Sequence, residues 1–406
     1  MIRIRLCVIS KYPPIEGGVS SRTYWICKGL GKLGNKVYVV TNAWEVEKEF
    51  REDIPKRELS ELEPKNVRLF STSSSPPFHI PYSQCYLSKL TSLALNVVKE
   101  YDPNVLFSFY FMPYGLCGYL VKMITRKPFV LRHAGSDITR LFEYPFFRNL
   151  FIEMFSNADK ILTSQNKKQL FLNLKIPESK LSPLYDGVDT EAFNPRTKPF
   201  DLSKYTGKNL DGIPIFTYIG KISKLKQTYN FLKAVAKIKD EKFVILLIVG
   251  SGKYVEDLKG FVKSLHLEKK VIFMPFQPPW KIPSLMTKST AIVSPESEET
   301  PYLPTGTHYP IIIREAMACG CCTIIGEGIH KKGLYTQLED GVNTITINPE
   351  NTSEFAKKLK SIVNDSDKAY KIGKEARKVS ESIENYKDSL KKLENLFQEV
   401  INVYGG

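Results

Sequence analysis

Residues 2–20 read IRIRLCVISKYPPIEGGVS and combine three signals of one fold class. Residues 2–10 are mostly apolar and predict a strand, and Gly17-Gly18 predict a loop. A helix is expected over about residues 20–33, and residues 37–41 (VYVVT) predict a second strand. A strand, a helix and a second strand in this order form a βαβ unit, in which the two strands are parallel. This stretch therefore predicts an α/β protein with a parallel sheet.

The same alternation continues along the chain and predicts two domains. Proline, glycine and asparagine interrupt it between residues 193 and 213, which we interpret as a domain boundary. We expect an N-terminal domain over residues 1–200 and a C-terminal domain over residues 201–384, with a helix over about 385–406 that packs back on the first. Ligands of open α/β sheets bind at the carboxyl ends of the strands, so we expect a site between the domains. Further strands are predicted at residues 105–109, 129–132, 160–164, 215–219, 243–249, 271–274, 291–294, 323–325 and 344–347.

The composition indicates a soluble globular protein with anionic ligands. Of 406 residues, 42% are hydrophobic and 25% are charged, and the formal net charge is +15. That charge suits a nucleotide, a nucleic acid or an acidic membrane surface, or it serves solubility alone. Nucleic acid is disfavoured because no recognised binding motif or basic tail is present. The longest apolar run, residues 243–249, is too short to span a membrane, and no secretory signal is evident. We therefore expect a cytoplasmic location, or a peripheral one at the inner membrane face.

The cysteines and one aromatic stretch each allow two interpretations. Cys319, Cys321 and Cys322 lie close together, but no second Cys or His cluster accompanies them. Buried thiols in a reducing compartment are therefore favoured over a metal site. Residues 141–152 (LFEYPFFRNLFI) combine aromatic side chains with arginine. Such a helix can rest on a membrane interface, although we expect most of it to belong to the core.

Residues 308–320 (HYPIIIREAMACG) place one carboxylate, Glu315, in an apolar helix that ends at a glycine. The free amide groups at a helix N-terminus attract anions, and a nearby carboxylate accepts hydrogen bonds from hydroxyl groups. A nucleotide sugar offers both partners, because it carries a diphosphate and a ribose. The alternative is a buried helix with one tolerated charge.

Two loops of the first domain are candidate binding loops because they follow predicted strands. Gly17-Gly18 would let backbone amides approach an anion closely, or would form only a tight turn. His133 and Asp137 follow the strand at residues 129–132 and would face the same site. A single histidine is more often structural, so His133 alone is a weak indication.

A basic loop follows the first strand of the second domain. Gly220 ends this strand, and Lys221 and Lys226 lie on either side of the following turn. Two cations in this position could stabilise a diphosphate leaving group. The alternative is a solvated basic turn.

Together these segments resemble the retaining glycosyltransferases of family 4, the glycosyl transferases group 1, which have the GT-B fold. The resemblance covers nearly the whole chain and keeps the order of the motifs. It implies two Rossmann-like domains that face each other across a cleft, with parallel sheets and helices on both faces. The first domain would bind the acceptor and the second the nucleotide sugar. The matching segments are Gly17-Gly18, residues 186–193 (DGVDTEAF), Gly220-Lys221 with Lys226, residues 249–252 (VGSG) and residues 315–320 (EAMACG).

The resemblance also implies roles for single residues. His133 would lie near the donor sugar. Lys221, where the family usually has arginine, and Lys226 would hold the diphosphate. Glu315 would bind the ribose, which completes the predicted catalytic set. The predicted substrate-binding residues are Gly17, Gly18, Asp137, Glu298, Thr307, His308, Tyr309, Pro310 and Ile311.

One position departs from the family pattern. A first glutamate, which touches the transferred sugar in the family, should lie where this chain has Thr307. Glu298 or Glu299 could replace that carboxylate. Alternatively, Thr307 and His308 recognise a transferred sugar that differs from the family's, or transfer is impaired.

The expected function is retaining transfer of a sugar from a nucleotide-diphosphate sugar to a glycan, lipid-linked or small-molecule acceptor, as in polysaccharide biosynthesis. Front-face displacement needs mainly positioning and stabilisation of the departing diphosphate. A strand-end Asp-x-Asp is lacking, so we expect neither a metal nor another cofactor. Two alternatives stay open. One is a degenerate relative that binds a nucleotide sugar without transfer, and the other is a nucleotide-sugar epimerase, for which no proton-abstracting carboxylate is identified.

Overall fold

The chain forms two compact units in the computed structural model. The structure describes residues 3–46, 50–52, 54–55, 57–58, 63–72, 86–134, 137–142, 144–222, 226–250, 253–296, 310–328, 337–383 and 386–405. The first unit comprises Met1–Gly187 and Lys387–Gly406, and the second unit comprises Val188–Tyr386. The division after Gly187 lies ahead of the boundary that the sequence predicted between residues 193 and 213.

The first unit is built on a parallel sheet, seven-stranded within the described residues. Its strands are β1 (Arg5–Ile9), β2 (Lys36–Thr41), β3 (Val67–Ser71), β4 (Val105–Phe109), β5 (Phe129–Arg132), β6 (Lys160–Thr163) and β7 (Leu181–Pro183). They pair in the order β3-β2-β1-β4-β5-β6-β7. All residues of β4 and β5 are buried, as expected for strands covered on both faces.

Helices cover this sheet, and one of them approaches it closely at Gly118. A Cβ on Gly118 would lie 2.3 Å from Ser108 Oγ and 2.5 Å from the Phe129 ring, so a larger residue would push the helix away from the sheet. The helices are α1 (Gly18–Lys32), α2 (Tyr86–Tyr101), α3 (Leu116–Thr125), α4 (Pro145–Asn157) and α5 (Gln165–Asn173).

The second unit repeats the architecture with a parallel sheet of six described strands. These are β8 (Ile215–Ile219), β9 (Val244–Ile248), β10 (Val271–Met274), β11 (Ala291–Ser294), β12 (Cys322–Gly326) and β13 (Ile345–Ile347). They pair in the order β10-β9-β8-β11-β12-β13. Its helices are α6 (Leu202–Thr206), α7 (Thr228–Ala236), α8 (Lys253–Ser264), α9 (Ile282–Lys288), α10 (Ile311–Ala318), α11 (Thr352–Asn364) and α12 (Ser366–Ile383).

The helix α13 (Tyr386–Gly405) packs on the first unit. The Phe397 ring lies with its centroid 5.3 Å from that of Phe107 on β4. Asn35 Nδ2 donates a hydrogen bond of 2.6 Å to Glu394 Oε1. Aromatic and polar contacts thus join α13 to the unit that begins the chain.

The fold class predicted from the sequence is confirmed: the protein is α/β, with parallel sheets and helices on both faces. The predicted strands are found in place, with their ends shifted by up to three residues. The sequence did not predict β3 and β7, the two outermost strands of the first sheet. β3 is only partly buried and β7 has three residues, so neither forms a long apolar run.

Candidate functional site

The strand order of each sheet reverses once, between β1 and β4 in the first unit and between β8 and β11 in the second. At such a point the connections leave toward opposite faces of the sheet and open a crevice at the carboxyl ends of the strands. The Gly17-Gly18 loop follows β1, and Lys221 and Lys226 follow β8. Two of the predicted binding loops therefore lie at the reversal points.

The Gly17-Gly18 loop opens helix α1 in a conformation that needs glycine. Gly17 has a φ of 107°, in the left-handed region, and is the N-cap residue of α1. Among the described residues no side chain caps this helix. A Cβ on Gly18 would meet no atom within 4 Å. No described side chain therefore caps the amide groups at the start of α1, and the space beside Gly18 is open.

His133 follows β5 and is a buried, neutral imidazole. Its Nε2 lies 2.8 Å from Thr163 Oγ1, and its ring is stacked 6.0 Å from that of Phe171. Burial lowers the pKa of His133 to about 3, and the neighbouring Arg132 and Lys167 charges act in the same direction. Its Nδ1 has no hydrogen-bond partner among the described residues. His133 can therefore hydrogen-bond a ligand but does not carry a charge near neutral pH.

Asp137 forms the turn after β5. Both of its carboxylate oxygens lie 3.0 Å from the amide nitrogen of Ala134, and Oδ1 also accepts from Ile138 N at 3.0 Å. The residue is fully buried. These contacts hold the backbone of the turn, and the predicted contact of Asp137 with substrate stays a prediction.

A buried ion cluster, not predicted from the sequence, joins three segments of the first unit. Arg132 Nη2 donates to Asp186 Oδ1 at 2.6 Å, and Arg22 Nη1 lies 3.5 Å from Asp186 Oδ2. Arg132 also lies over the Phe109 ring, at 4.6 Å from its centroid. Burial lowers the pKa of Arg132, and the Asp186 carboxylate opposes that shift. Asp186 therefore anchors the end of the first unit to β5 and α1.

Lys221 extends from a fixed turn at the end of β8. The Tyr218 hydroxyl donates to the Lys221 carbonyl at 2.8 Å, and Gly220 N donates to the Ile248 carbonyl at 3.1 Å. The Lys221 side chain itself is exposed. Its backbone is thus held by the sheet, while its charge is accessible.

Lys226 is paired with a carboxylate that the sequence analysis missed. Lys226 Nζ forms an ion pair with Glu296 Oε1, and Ser294 Oγ lies 3.4 Å from the same oxygen. The Lys226 side chain is 33% exposed and that of Glu296 only 6%. Glu296 lies two positions after β11, and a search for charged residues at strand ends would have found it. Lys226 and Glu296 thus meet at the reversal point of the second sheet.

Gly326 fixes the backbone that carries Glu296. A Cβ on Gly326, the last residue of β12, would lie 2.0 Å from the Glu296 carbonyl oxygen. Real Cβ atoms do not approach a backbone oxygen so closely, so only glycine allows this contact. The backbone that follows β11 therefore passes very close to the end of β12.

Glu315 is held on α10, a helix that packs against β11 and β12. The helix begins after Pro310 without a side-chain cap from the described residues, and the Pro310 carbonyl accepts from Ile313 N at 2.9 Å. Ile311 is half-buried, and Glu315 is 7% exposed. A helix that follows β11 begins at the carboxyl edge of the sheet, so the start of α10 lies at the same edge as Lys221 and Lys226.

Four predicted substrate-binding residues, and one further candidate, lie outside the described residues. They are Glu298, Thr307, His308, Tyr309 and Glu299. The burial predicted for Cys319, Cys321 and Cys322 is confirmed, and burial raises the pKa of Cys321 and of Cys322 to about 12. In the described part of the chain, no three His, Cys, Asp or Glu side chains gather as metal ligands.

Helix α4 exposes more of the aromatic stretch than the sequence indicated. Phe142 and Phe151 are buried, as expected. Residues 144–146 and 148–150 are exposed, and Phe146 is 90% exposed. The expectation that most of this stretch belongs to the core was therefore wrong for its central part.

Two family models cover most of the chain. Residues 16–192 match the family described as Glycosyltransferase Family 4, and residues 205–379 match the family described as Glycosyl transferases group 1. The chain belongs to the group 1 glycosyltransferases. N-acetyl-alpha-D-glucosaminyl L-malate synthase of Bacillus anthracis is 23% identical to this glycosyltransferase over 378 residues, which are 91% of this chain and 90% of that protein.

Solved structures share the fold of this glycosyltransferase. Sucrose-phosphate synthase from Thermosynechococcus elongatus matches with a TM-score of 0.70 at 16% identity, over 99% of this chain and 100% of that one. HepE from Anabaena, in complex with UDP-glucose, matches with a TM-score of 0.70 at 16% identity, over 98% and 100%. The predicted GT-B fold is therefore confirmed. No described helix of this glycosyltransferase is both long and apolar enough to cross a membrane.

Proposed function

We propose that this protein is a retaining, metal-independent glycosyltransferase that moves a sugar from a nucleotide-diphosphate sugar to a glycan, lipid-linked or small-molecule acceptor. One observation carries the proposal. Lys221, Lys226 and the start of α10, the helix that carries Glu315, lie at the carboxyl edge of the second sheet. A diphosphate suits the two lysines and the helix amides, and a ribose suits the carboxylate. HepE, which shares the fold, was solved with UDP-glucose.

Retention is supported by the kind of groups that the chain provides. Front-face displacement requires a stabilised leaving diphosphate and a well-held sugar rather than a protein nucleophile. The lysines supply the positive charge, so the proposed reaction needs no metal ion. The neutral His133 has a free Nδ1 among the described residues and suits a hydrogen bond to the sugar. The name of the Bacillus relative describes an α-linked product. A retaining enzyme forms such a product from an α-linked donor.

The proposed location is cytoplasmic, with peripheral contact at the inner membrane face when the acceptor is lipid-linked. The exposed face of α4 and the residue before it support this, because Tyr144, Phe146 and Leu150 stand beside the exposed Arg148. Aromatic and aliphatic side chains enter the membrane interface, and arginine pairs with anionic headgroups. The net charge of +15 acts in the same direction.

The proposal is tested by thermal unfolding with UDP-, GDP- and ADP-sugars and their bare diphosphates, in the presence of a chelator. A ligand at one hundred times its dissociation constant stabilises the folded state by about 2.7 kcal/mol, which is readily detected. We expect a shift with one nucleotide class only. Glu315→Ala and Lys226→Ala should each abolish the shift and sugar transfer while the unliganded protein stays folded.

The control is Glu241→Gln, which removes one charge from another ion pair of the second unit, with Lys360 at 2.6 Å. Glu241 precedes β9 and so lies at the opposite edge of the sheet. This variant should keep the nucleotide shift. A wild-type protein that responds to none of the nucleotides, or variants that transfer sugar at the wild-type rate, would show the proposed function to be wrong.

A further inference from the structure

A carboxylate at the reversal point of the second sheet has no role in the reaction described so far. Glu296 is 6% exposed, and its Oε1 pairs with Lys226, the lysine assigned to the diphosphate. We propose that Glu296 is a positioning residue of the donor site, the resident counterion that holds Lys226 before the donor binds and takes the lysine back when the nucleoside diphosphate leaves. This inference rests on the proposed function.

The pair bridges the two strands between which the order reverses. β8 and β11 are adjacent, with Ile292 opposite Thr217. Lys226 follows β8 and Glu296 follows β11, so the pair lies across the crevice in which a ligand of such a sheet binds. An anion that contacts Lys226 there also comes close to the Glu296 carboxylate.

The two partners are held to different degrees. The Glu296 backbone lies against Gly326, and its carboxylate oxygen lies 3.4 Å from Ser294 Oγ, on the last residue of β11. Lys226 has a flexible stem and is 33% exposed. The carboxylate is therefore the fixed partner, and the ammonium group is the one that can turn toward a ligand.

The exchange of Lys226 between Glu296 and the diphosphate follows from the charges of the two anions. Without a ligand, Glu296 neutralises a lysine that would otherwise be unpaired in a partly buried site. An incoming diphosphate carries more negative charge than one carboxylate, so Lys226 turns its N–H groups from Glu296 toward the diphosphate. The Glu296 charge then repels the diphosphate, most strongly once the sugar has left and the charge of the nucleotide has risen. Glu296 therefore aligns Lys226 and also weakens product binding.

The test is Glu296→Gln, which keeps the shape of the side chain and removes its charge. Binding of UDP, GDP or ADP, whichever binds the wild type, is measured by titration calorimetry, together with kcat and product inhibition. Removal of a like charge several ångströms from the diphosphate should tighten its binding about three- to tenfold. The value of kcat should fall, because Lys226 is less well aligned and product leaves more slowly. A merely structural residue would instead weaken binding.

Two further variants isolate the effect of charge. Glu296→Asp keeps the charge and should bind the diphosphate as the wild type does, and the matched control Glu241→Gln should also leave binding unchanged. If Glu296→Gln does not fold, the double variant Lys226→Gln/Glu296→Gln replaces it, since it leaves neither charge unpaired. It should bind the diphosphate about three- to tenfold more tightly than Lys226→Gln alone.

Weaker or unchanged diphosphate binding in Glu296→Gln would overturn the inference, as would equally tightened binding in Glu296→Asp. Either result leaves the proposed function intact, because it concerns the variants alone. A wild-type protein that binds no nucleoside diphosphate would overturn both, since Glu296 would then have no ligand with which to exchange Lys226.

Discussion

His133 shows how burial sets the chemistry of a single residue. The imidazole lies among aromatic rings, with one nitrogen held by Thr163, and burial lowers its pKa to about 3. In the unfolded chain a histidine takes up its proton near pH 6.5. The same residue is thus neutral in the folded protein and charged in the unfolded protein over several pH units.

The free energy of unfolding should therefore fall as the pH drops from 7 to 4. The unfolded state binds a proton that the folded state does not. As the pH drops, this difference lowers the free energy of unfolding by up to about 1.4 kcal/mol per pH unit for this one group. We expect His133→Asn to lose less stability than the wild type between pH 7 and pH 5, as measured by urea unfolding at both values. His266→Asn, at an exposed histidine, is the control. An unchanged pH dependence in His133→Asn would contradict this prediction.

Sequence reasoning found residues that a local pattern marks and missed their distant partners. Lys221 and Lys226 follow a recognisable strand, and Glu315 lies in a recognisable helix. Glu296 is 70 positions from its partner lysine, and Asp186 is 54 positions from Arg132. Only the folded sheets bring these charges together, so no local pattern shows that they pair.

The central strands were predictable, whereas the two edge strands of the first sheet were not. The strands at residues 105–109 and 129–132 are buried on both faces and are therefore mostly apolar, with Ser108 and Arg132 as the exceptions. The outer strand β3 is partly exposed and carries Arg68 among its five residues. The edge strands of the second sheet, β10 (VIFM) and β13 (ITI), are mostly apolar and were predicted.

Gly326→Ala tests the contact between two elements at the site. The added methyl group would meet the Glu296 carbonyl oxygen at 2.0 Å, so β12 or the chain after β11 must move. We expect a loss of about 1–3 kcal/mol in the free energy of unfolding, typical of overpacking, and weaker nucleotide binding. Urea unfolding and titration calorimetry measure the two effects.

The matched control is Gly260→Ala, in the interior of α8, where a Cβ would meet no atom within 4 Å. It should be neutral or stabilise the protein by up to about 1 kcal/mol, because alanine favours helix more than glycine does. Equal behaviour of the two variants would show that the close approach at Gly326 is unimportant.

The chain passes between its two units twice, after Gly187 and near Tyr386. Helix α13 contributes the buried Phe397 to the first unit and pairs Glu399 with Lys160 at 2.7 Å. The sequence predicts a helix over about residues 385–406 that packs back on the first domain.

Phe397→Ala should destabilise the first unit in particular. Truncation of a buried phenylalanine typically costs about 3–5 kcal/mol, since the Phe107 ring and its neighbours would line a cavity. Hydrogen exchange should accelerate in residues 3–187 and 386–405 and stay near the wild-type rate in residues 188–383. Val403→Ala, on the same helix but 77% exposed, should exchange like the wild type. Equal acceleration in both units would contradict this assignment.

The order of these elements along the chain has a consequence for synthesis on the ribosome. Strands β1–β7 emerge first, but their core lacks Phe397 until the whole second unit has been made. The second unit has its described strands and helices between residues 202 and 383, so it can complete its core earlier. The nascent first unit thus exposes an apolar face while residues 188–386 are translated, and the part of the enzyme that is made first is the part that matures last.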